Sequence, residues 1–125
     1  MGDELPRECI SMITISYPRR PTRSVRVGSV WIGSAHPVAV QSMITAETHD
    51  VEAAIAQIIA MHRAGAEIVR VTTPNMQEAQ CLGIIRSEVS KRYREVPLVA
   101  DVHHQGSAIA VEVARHVHKV RINPG

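Results

Sequence analysis

The hydrophobic positions of this chain change period along its length, and the changes mark its elements. From Ser24 to Gly33 they alternate: Val25 and Val27, then Gly28 and Ser29, then Val30 and Ile32. Period-two alternation on both sides of a Gly-Ser pair predicts a β-hairpin with a tight two-residue turn. The run from Pro37 to Ser42 is short and apolar, and is expected to form a buried strand. From Asp50 to Ala64 the spacing turns helical, with Val51, Ala54, Ile55, Ile58, Ile59 and His62 on one side. Asp50 can cap that helix, and Gly65 stands where a helix-ending glycine belongs.

The alternation of types then repeats. Glu67 to Thr72 reads as a second strand. Asn75, with Glu78 three residues on and Pro74 before it, has a capping-box pattern. The helix it opens runs to about Arg92, with Ala79, Leu82, Ile85 and Val89 on one face. Pro97 to Val102 is a third strand, Ser107 to about His116 a third helix, and His118 to Asn123 a fourth strand. Residues 1–23 are mixed, with prolines at 6, 18 and 21 and the cluster Arg19, Arg20 and Arg23; they read as a lead-in segment with room for a short helix. A hairpin followed by βαβαβαβ means a parallel α/β sheet with right-handed crossovers. Two architectures fit, an open doubly wound sheet and part of a (β/α)8 barrel. The length of 125 residues favours the open sheet, because a barrel typically needs about 250.

The polar residues at the strand ends argue for the barrel. In either architecture ligands bind at the C-terminal ends of the strands. The first strand is expected to end in Gln41 and Ser42, and the second carries Arg70 near its end. The third ends in Asp101 and His103-His104, and the fourth in Arg121 and Asn123, followed by Pro124-Gly125. Each has a structural alternative. Arg70 could pair with a nearby acid, Asp101 could hold an arginine or cap the next helix, and His103 could pack in the core. His104 reads as structural, Asn123 could shape the Pro-Gly turn, and Gln41 and Ser42 could be loop caps. Taken jointly, four strands with polar groups at one end describe a basic rim suited to a phosphate or diphosphate.

Composition adds little and excludes much. Apolar residues are 45% and charged residues 21%, which supports a packed core. There is one Trp, there are two Tyr and no Phe, so the core must be Val, Ile, Ala, Leu and Met, which suits strands covered by helices. Nearly all basic residues are Arg, which suits bidentate phosphate binding and equally follows from genomic base composition. A net charge of +2 without aromatic–basic interleaving does not argue for nucleic acid. No apolar run approaches the roughly 20 residues of a membrane span, and no secretory signal is read at the N-terminus. Neither GxGxxG nor GxxxxGK[ST] is present. Cys9 and Cys81 make no CxxC pair, and no HExxH or close Cys/His cluster supports zinc. His36, His49, His62, His116 and His118 are scattered and read as surface or packing residues.

Four strings carry a resemblance. Residues 40–43 (VQSM), 64–71 (AGAEIVRV), 96–103 (VPLVADVH) and 119–125 (KVRINPG) resemble, in order and spacing, the N-terminal barrel of the 4-hydroxy-3-methylbut-2-en-1-yl diphosphate synthase family. Residues 20–28 (RPTRSVRVG) resemble that family's start, and the His103-His104 pair is similar to its long variants. The likeness spans about residues 19–125. It implies the first half of a TIM (β/α)8 barrel over residues 24–125, about four βα units with the last incomplete. It implies that the barrel binds 2-C-methyl-D-erythritol 2,4-cyclodiphosphate, with Arg70, His103, Arg121 and Asn123 as substrate contacts and Asp101 beside them; the strand-end pattern adds Gln41 and Ser42 as supporting rim residues. It implies reductive ring opening at a 4Fe-4S cluster in a separate C-terminal domain, with electrons from ferredoxin or flavodoxin. It further implies a homodimer, in the bacterial cytoplasm or, for a plant-type source, the plastid stroma.

Cys9 and Cys81 do not match the family's cluster ligands, so no metal site is expected in this chain. The chain is therefore expected to be a partial sequence, inactive alone and prone to aggregate through an open sheet edge. Two other readings compete: a pterin-binding barrel similar to dihydropteroate synthase, and a non-catalytic phosphate-binding module.

Overall fold

Gly28 turns the chain where the alternation breaks. In the computed structural model, which describes residues 17–103 and 106–123, strands β1 (Val25–Val27) and β2 (Val30–Ile32) pair antiparallel with Val27 opposite Val30. Gly28 has φ +59° while Ser29 keeps a negative φ, the pattern of the type II′ hairpin turn. A Cβ on Gly28 would also lie 3.1 Å from side-chain carbons of Pro97 and His118. The hairpin thus approaches the main sheet closely at a residue without a side chain.

Four parallel strands follow, each but the last leading into a helix. They are β3 (Gln41–Met43), β4 (Ile68–Thr72), β5 (Leu98–Val102) and β6 (Lys119–Ile122). Between them run α1 (Val51–Arg63), α2 (Met76–Arg92) and α3 (Gly106–Ala114). The sheet order is β3-β4-β5-β6, so every neighbour in sequence is a neighbour in space. The caps act as their residue types predict. Asp50 accepts from the Ala53 N–H at 3.3 Å, and Asn75 accepts from the Glu78 N–H at 2.9 Å. Gly65, with φ +116°, follows α1.

Strand alternation sorts the core into two parts. Val69, Val71, Leu98, Ala100 and Val102 point to the helices and pack with Ala54, Ile55, Ile58, Leu82, Ile85, Val89 and Val113. Ile68 and Val99 point to the other face, where Val27, Val30 and Ile32 of the hairpin cover them. Helices on one face and a hairpin plug beneath the other is half of a (β/α)8 barrel, and the four strands do not close on themselves. Among the described residues no helix is long and apolar enough to cross a membrane.

The first strand departs from expectation. It was expected over 37–42 as a buried strand, but it spans only Gln41–Met43, and Val38 and Val40 are exposed. It is the edge of the sheet, with β4 on one side, so the apolar run that suggested burial has no second neighbour to cover it. The third helix stops at Ala114, two residues before His116, where the chain tightens into a turn held by His116 N–H to the Val113 carbonyl at 2.9 Å. Residues 1–16 with Cys9, and likewise His104 and the Pro124-Gly125 turn, lie outside the described residues.

Candidate anion-binding site

Because strand side chains alternate, Arg70 and Thr72 share the face of Ile68, and Asp101 shares that of Val99. That face is free of helices, and its upper half carries the polar residues. The register sets Asp101 directly beside Arg121 on β6 and Thr72 on β4. Asp101 is fully buried and becomes the hub. Arg70 donates from Nε to its Oδ2 at 3.0 Å and pairs with the same oxygen through Nη2. Arg121 donates from Nη1 to Oδ1 at 2.9 Å. His103, just past β5, places Nε2 3.0 Å from Oδ2. Burial alone would push the Asp101 carboxyl up, but hydrogen bonds from Arg70 and Arg121 and the charges of Arg70 and His103 outweigh it and hold the group below its ordinary value.

Two guanidiniums on one carboxylate leave the cluster with a net positive charge. The side chains of Arg70, Arg121 and His103 are 27%, 41% and 37% exposed, so the positive groups reach the open face while the acid does not. A guanidinium carries five N–H donors, more than the bonds to Asp101 occupy. The arrangement can therefore orient an anion by charge-assisted bonds.

Of the residues expected at the rim, Arg70, Asp101, His103 and Arg121 converge. Asn123 is exposed just beyond β6, at the same end of the sheet. Gln41 and Ser42 do not join them. They open β3 rather than close it, so the rim position of that strand is Met43, beside Arg70. Ser42 pairs in register with the helix-facing Val69 and lines a surface cleft with Met61, Ala64 and Ala66. A shift of the strand by one residue changes every side chain's face, and periodicity in so short a run does not fix it.

The rim also holds residues that the sequence pattern did not single out. A cavity of about 540 Å³ opens beside the C-terminal ends of β3 and β4, lined by residues 44–49 together with Thr72, Asn75, Gln77 and Glu78. Gln57 of α1 shapes its wall by accepting the backbone N–H groups of Thr45 at 2.8 Å and Ala46 at 3.0 Å. Thr48 donates its hydroxyl to the Thr72 carbonyl. Glu78 turns its carboxylate to His49 rather than serving only the helix cap. The Asn75-x-x-Glu78 spacing marked Glu78 as a cap residue; nothing in the linear pattern pointed to His49.

The family model of the GcpE TIM-barrel domain matches residues 22–125. A protein of Synechococcus elongatus named 4-hydroxy-3-methylbut-2-en-1-yl diphosphate synthase (ferredoxin) is 60% identical over 107 residues, covering 86% of this chain and 26% of that protein. Proteins of the same name from another Synechococcus and from a Picosynechococcus are 62% identical over 109 residues and 53% over 115. They cover 87% and 92% of this chain and 26% and 28% of their own lengths. The chain spans about a quarter of the length of the curated relatives it matches.

Proposed function

This chain belongs to the GcpE TIM-barrel domain family, and we propose that it forms the substrate-binding rim of a ferredoxin-dependent 4-hydroxy-3-methylbut-2-en-1-yl diphosphate synthase. The reaction would be the two-electron opening of 2-C-methyl-D-erythritol 2,4-cyclodiphosphate, in which the ring C–O bond breaks with its oxygen kept on the diphosphate and the neighbouring carbon's hydroxyl leaves as water. The observation that carries this reading is the pair of half-exposed guanidiniums, Arg70 and Arg121, sharing one buried carboxylate. A separate carboxylate for each arginine would neutralise the rim. One shared between two fixes both in place and leaves a positive charge for the phosphates.

Within that reading, Arg70 and Arg121 bind phosphate oxygens, His103 and Asn123 add hydrogen bonds, and Asp101 positions the other groups. Pre-set donors lower the entropy lost on binding and hold the ring in one orientation. An iron–sulfur cluster would supply the electrons. Among the described residues, no group of three or more His, Cys, Asp or Glu side chains could hold a metal ion, and Cys81 packs against the helix-side core. The described residues therefore do not fit such a cluster, and the part proposed for this chain is binding and orientation. Ferredoxin as donor and a homodimer belong to the same proposal for the full-length protein.

Titration calorimetry on the full-length protein tests it. Arg121→Ala is expected to weaken binding of the cyclic diphosphate by tenfold or more, the scale of about 1.5–3 kcal/mol for a hydrogen bond to a charged group, with the cluster's absorbance unchanged. Undiminished binding would leave Arg121 as a structural partner of Asp101 alone.

A further inference from the structure

His49 sits in the loop between β3 and α1, and both of its ring nitrogens meet carboxylates. Nδ1 lies 3.0 Å from Glu78 Oε1, and Nε2 lies 2.9 Å from Glu47 Oε2. Ionised carboxylates accept hydrogen bonds and do not donate them, whereas a neutral imidazole has one N–H only. Both contacts are satisfied together only by the doubly protonated imidazolium. His118 shows the opposite arrangement. Its Nδ1 accepts from the Leu98 N–H at 3.0 Å while Nε2 faces Glu95 at 2.9 Å, so one proton suffices.

We propose that protonated His49 is a latch that fastens the first rim loop, residues 44–50, to the start of α2 and so holds one wall of the rim cavity, releasing it as the pH rises. The latch joins two elements that meet at the C-terminal end of the sheet. Glu47 belongs to the loop; Glu78 belongs to the first turn of α2 and is 9% exposed. The charged groups facing His49 are Glu78 from α2, Glu47 from the loop and Asp50 from the cap of α1, all acidic. The Glu78 hydrogen bond leads in raising the His49 pKa above its ordinary 6.5.

A histidine whose pKa is raised by the latched state stabilises that state fully below about 6.5 and loses the effect as the pH passes upward through the raised value. Above it the ring keeps one proton, one carboxylate contact lapses, and Glu78 stands near a neutral partner. Thr48 and Gln57 still tether the loop, so the release is local and α1 stays in place. The proposal does not depend on which anion the rim binds.

Hydrogen–deuterium exchange of the full-length protein tests it, read on peptides covering 44–50 and 75–79 and corrected for intrinsic rates. Protection of 44–50 is expected to fall about threefold between pH 6 and pH 8.5, the scale of one exposed ion pair. His49→Gln and Glu78→Gln are expected to abolish that dependence while leaving the 98–102 strand protected. A pH dependence in either variant equal to that of the wild type would overturn the latch, as would flat protection in the wild type. Loss of protection at 98–102 in His49→Gln would mean general misfolding. The milder Glu47→Gln, which keeps the Glu78 contact, then decides: a dependence reduced relative to wild type supports the latch, and an unchanged one refutes it.

Discussion

Replacing Asp101 by Asn removes one charge and almost no volume, which isolates what the hub contributes. Asp101 accepts from Arg70 Nε, Arg70 Nη2, Arg121 Nη1 and His103 Nε2. An amide has one acceptor oxygen and an NH2 group that only donates. If the oxygen stays with Arg121, the NH2 confronts Arg70 and His103, and their N–H groups lose an acceptor. Removing one partner of a buried ion pair costs about 3–5 kcal/mol. Because Arg70 and Arg121 are 27% and 41% exposed, water replaces part of the lost bonding, and the expected cost is about 2–4 kcal/mol. The assay is exchange of the full-length protein at pH 7, read on peptides spanning 68–72 and 119–122, whose opening free energy should drop by that amount. The same variant makes the rim more positive, so inorganic pyrophosphate should restore more protection in Asp101→Asn than in wild type. The wild-type advantage should shrink as the pH falls below the ordinary carboxyl value of 3.8 and through the lower folded value, because the depressed pKa of Asp101 contributes stability only while it is ionised. Equal protection of the two proteins at pH 7 would refute the hub.

Other changes probe the frame around it. Ile58→Ala, at a fully buried site between α1 and the sheet, should cost about 2–5 kcal/mol in denaturant unfolding. Gly33→Ala should destabilise the hairpin by about 1–3 kcal/mol, since φ is +151° and the new Cβ would lie 2.8 Å from the Arg23 carbonyl oxygen; faster exchange at 25–32 is the readout. Burial lowers the pKa of His118 below 6.5, so the start of β5 should lose protection as the pH falls below 6.5, and His118→Gln should flatten that profile. The 125-residue chain expressed alone should self-associate through the bare edges of β3 and β6, and Ile122→Lys should raise its monomer fraction in light scattering.

Much of the frame is local physics. The hairpin needed only alternation and a Gly-Ser pair, and both caps needed only an Asp or Asn at the right place, so these elements were legible and the chain adopts them. β4 and β5 were legible because helices cover one face and the hairpin covers the lower half of the other, which makes them mostly apolar runs with their polar residues conspicuous. The alternation of strands and helices predicted a parallel sheet, and the strand-end residues pointed to the barrel over the open alternative.

What tertiary structure decided is which of those polar residues meet. Arg70, Asp101 and Arg121 lie on three strands, and only the register of the sheet, pairing Asp101 with Arg121 and Thr72, brings two guanidiniums to one carboxylate. The same register sent Ser42 to the helix face and left Met43 at the rim, because a three-residue edge strand has too few positions to set its own phase. His49 is the plainest case. Its partners are two residues before it and 29 residues after it, and the closer one alone would have read as solvent. A chain's pattern determines which residues are strand, helix or turn, since those depend on near neighbours. Which charges share a neighbour depends on the distances between elements, and those exist only once the sheet has formed.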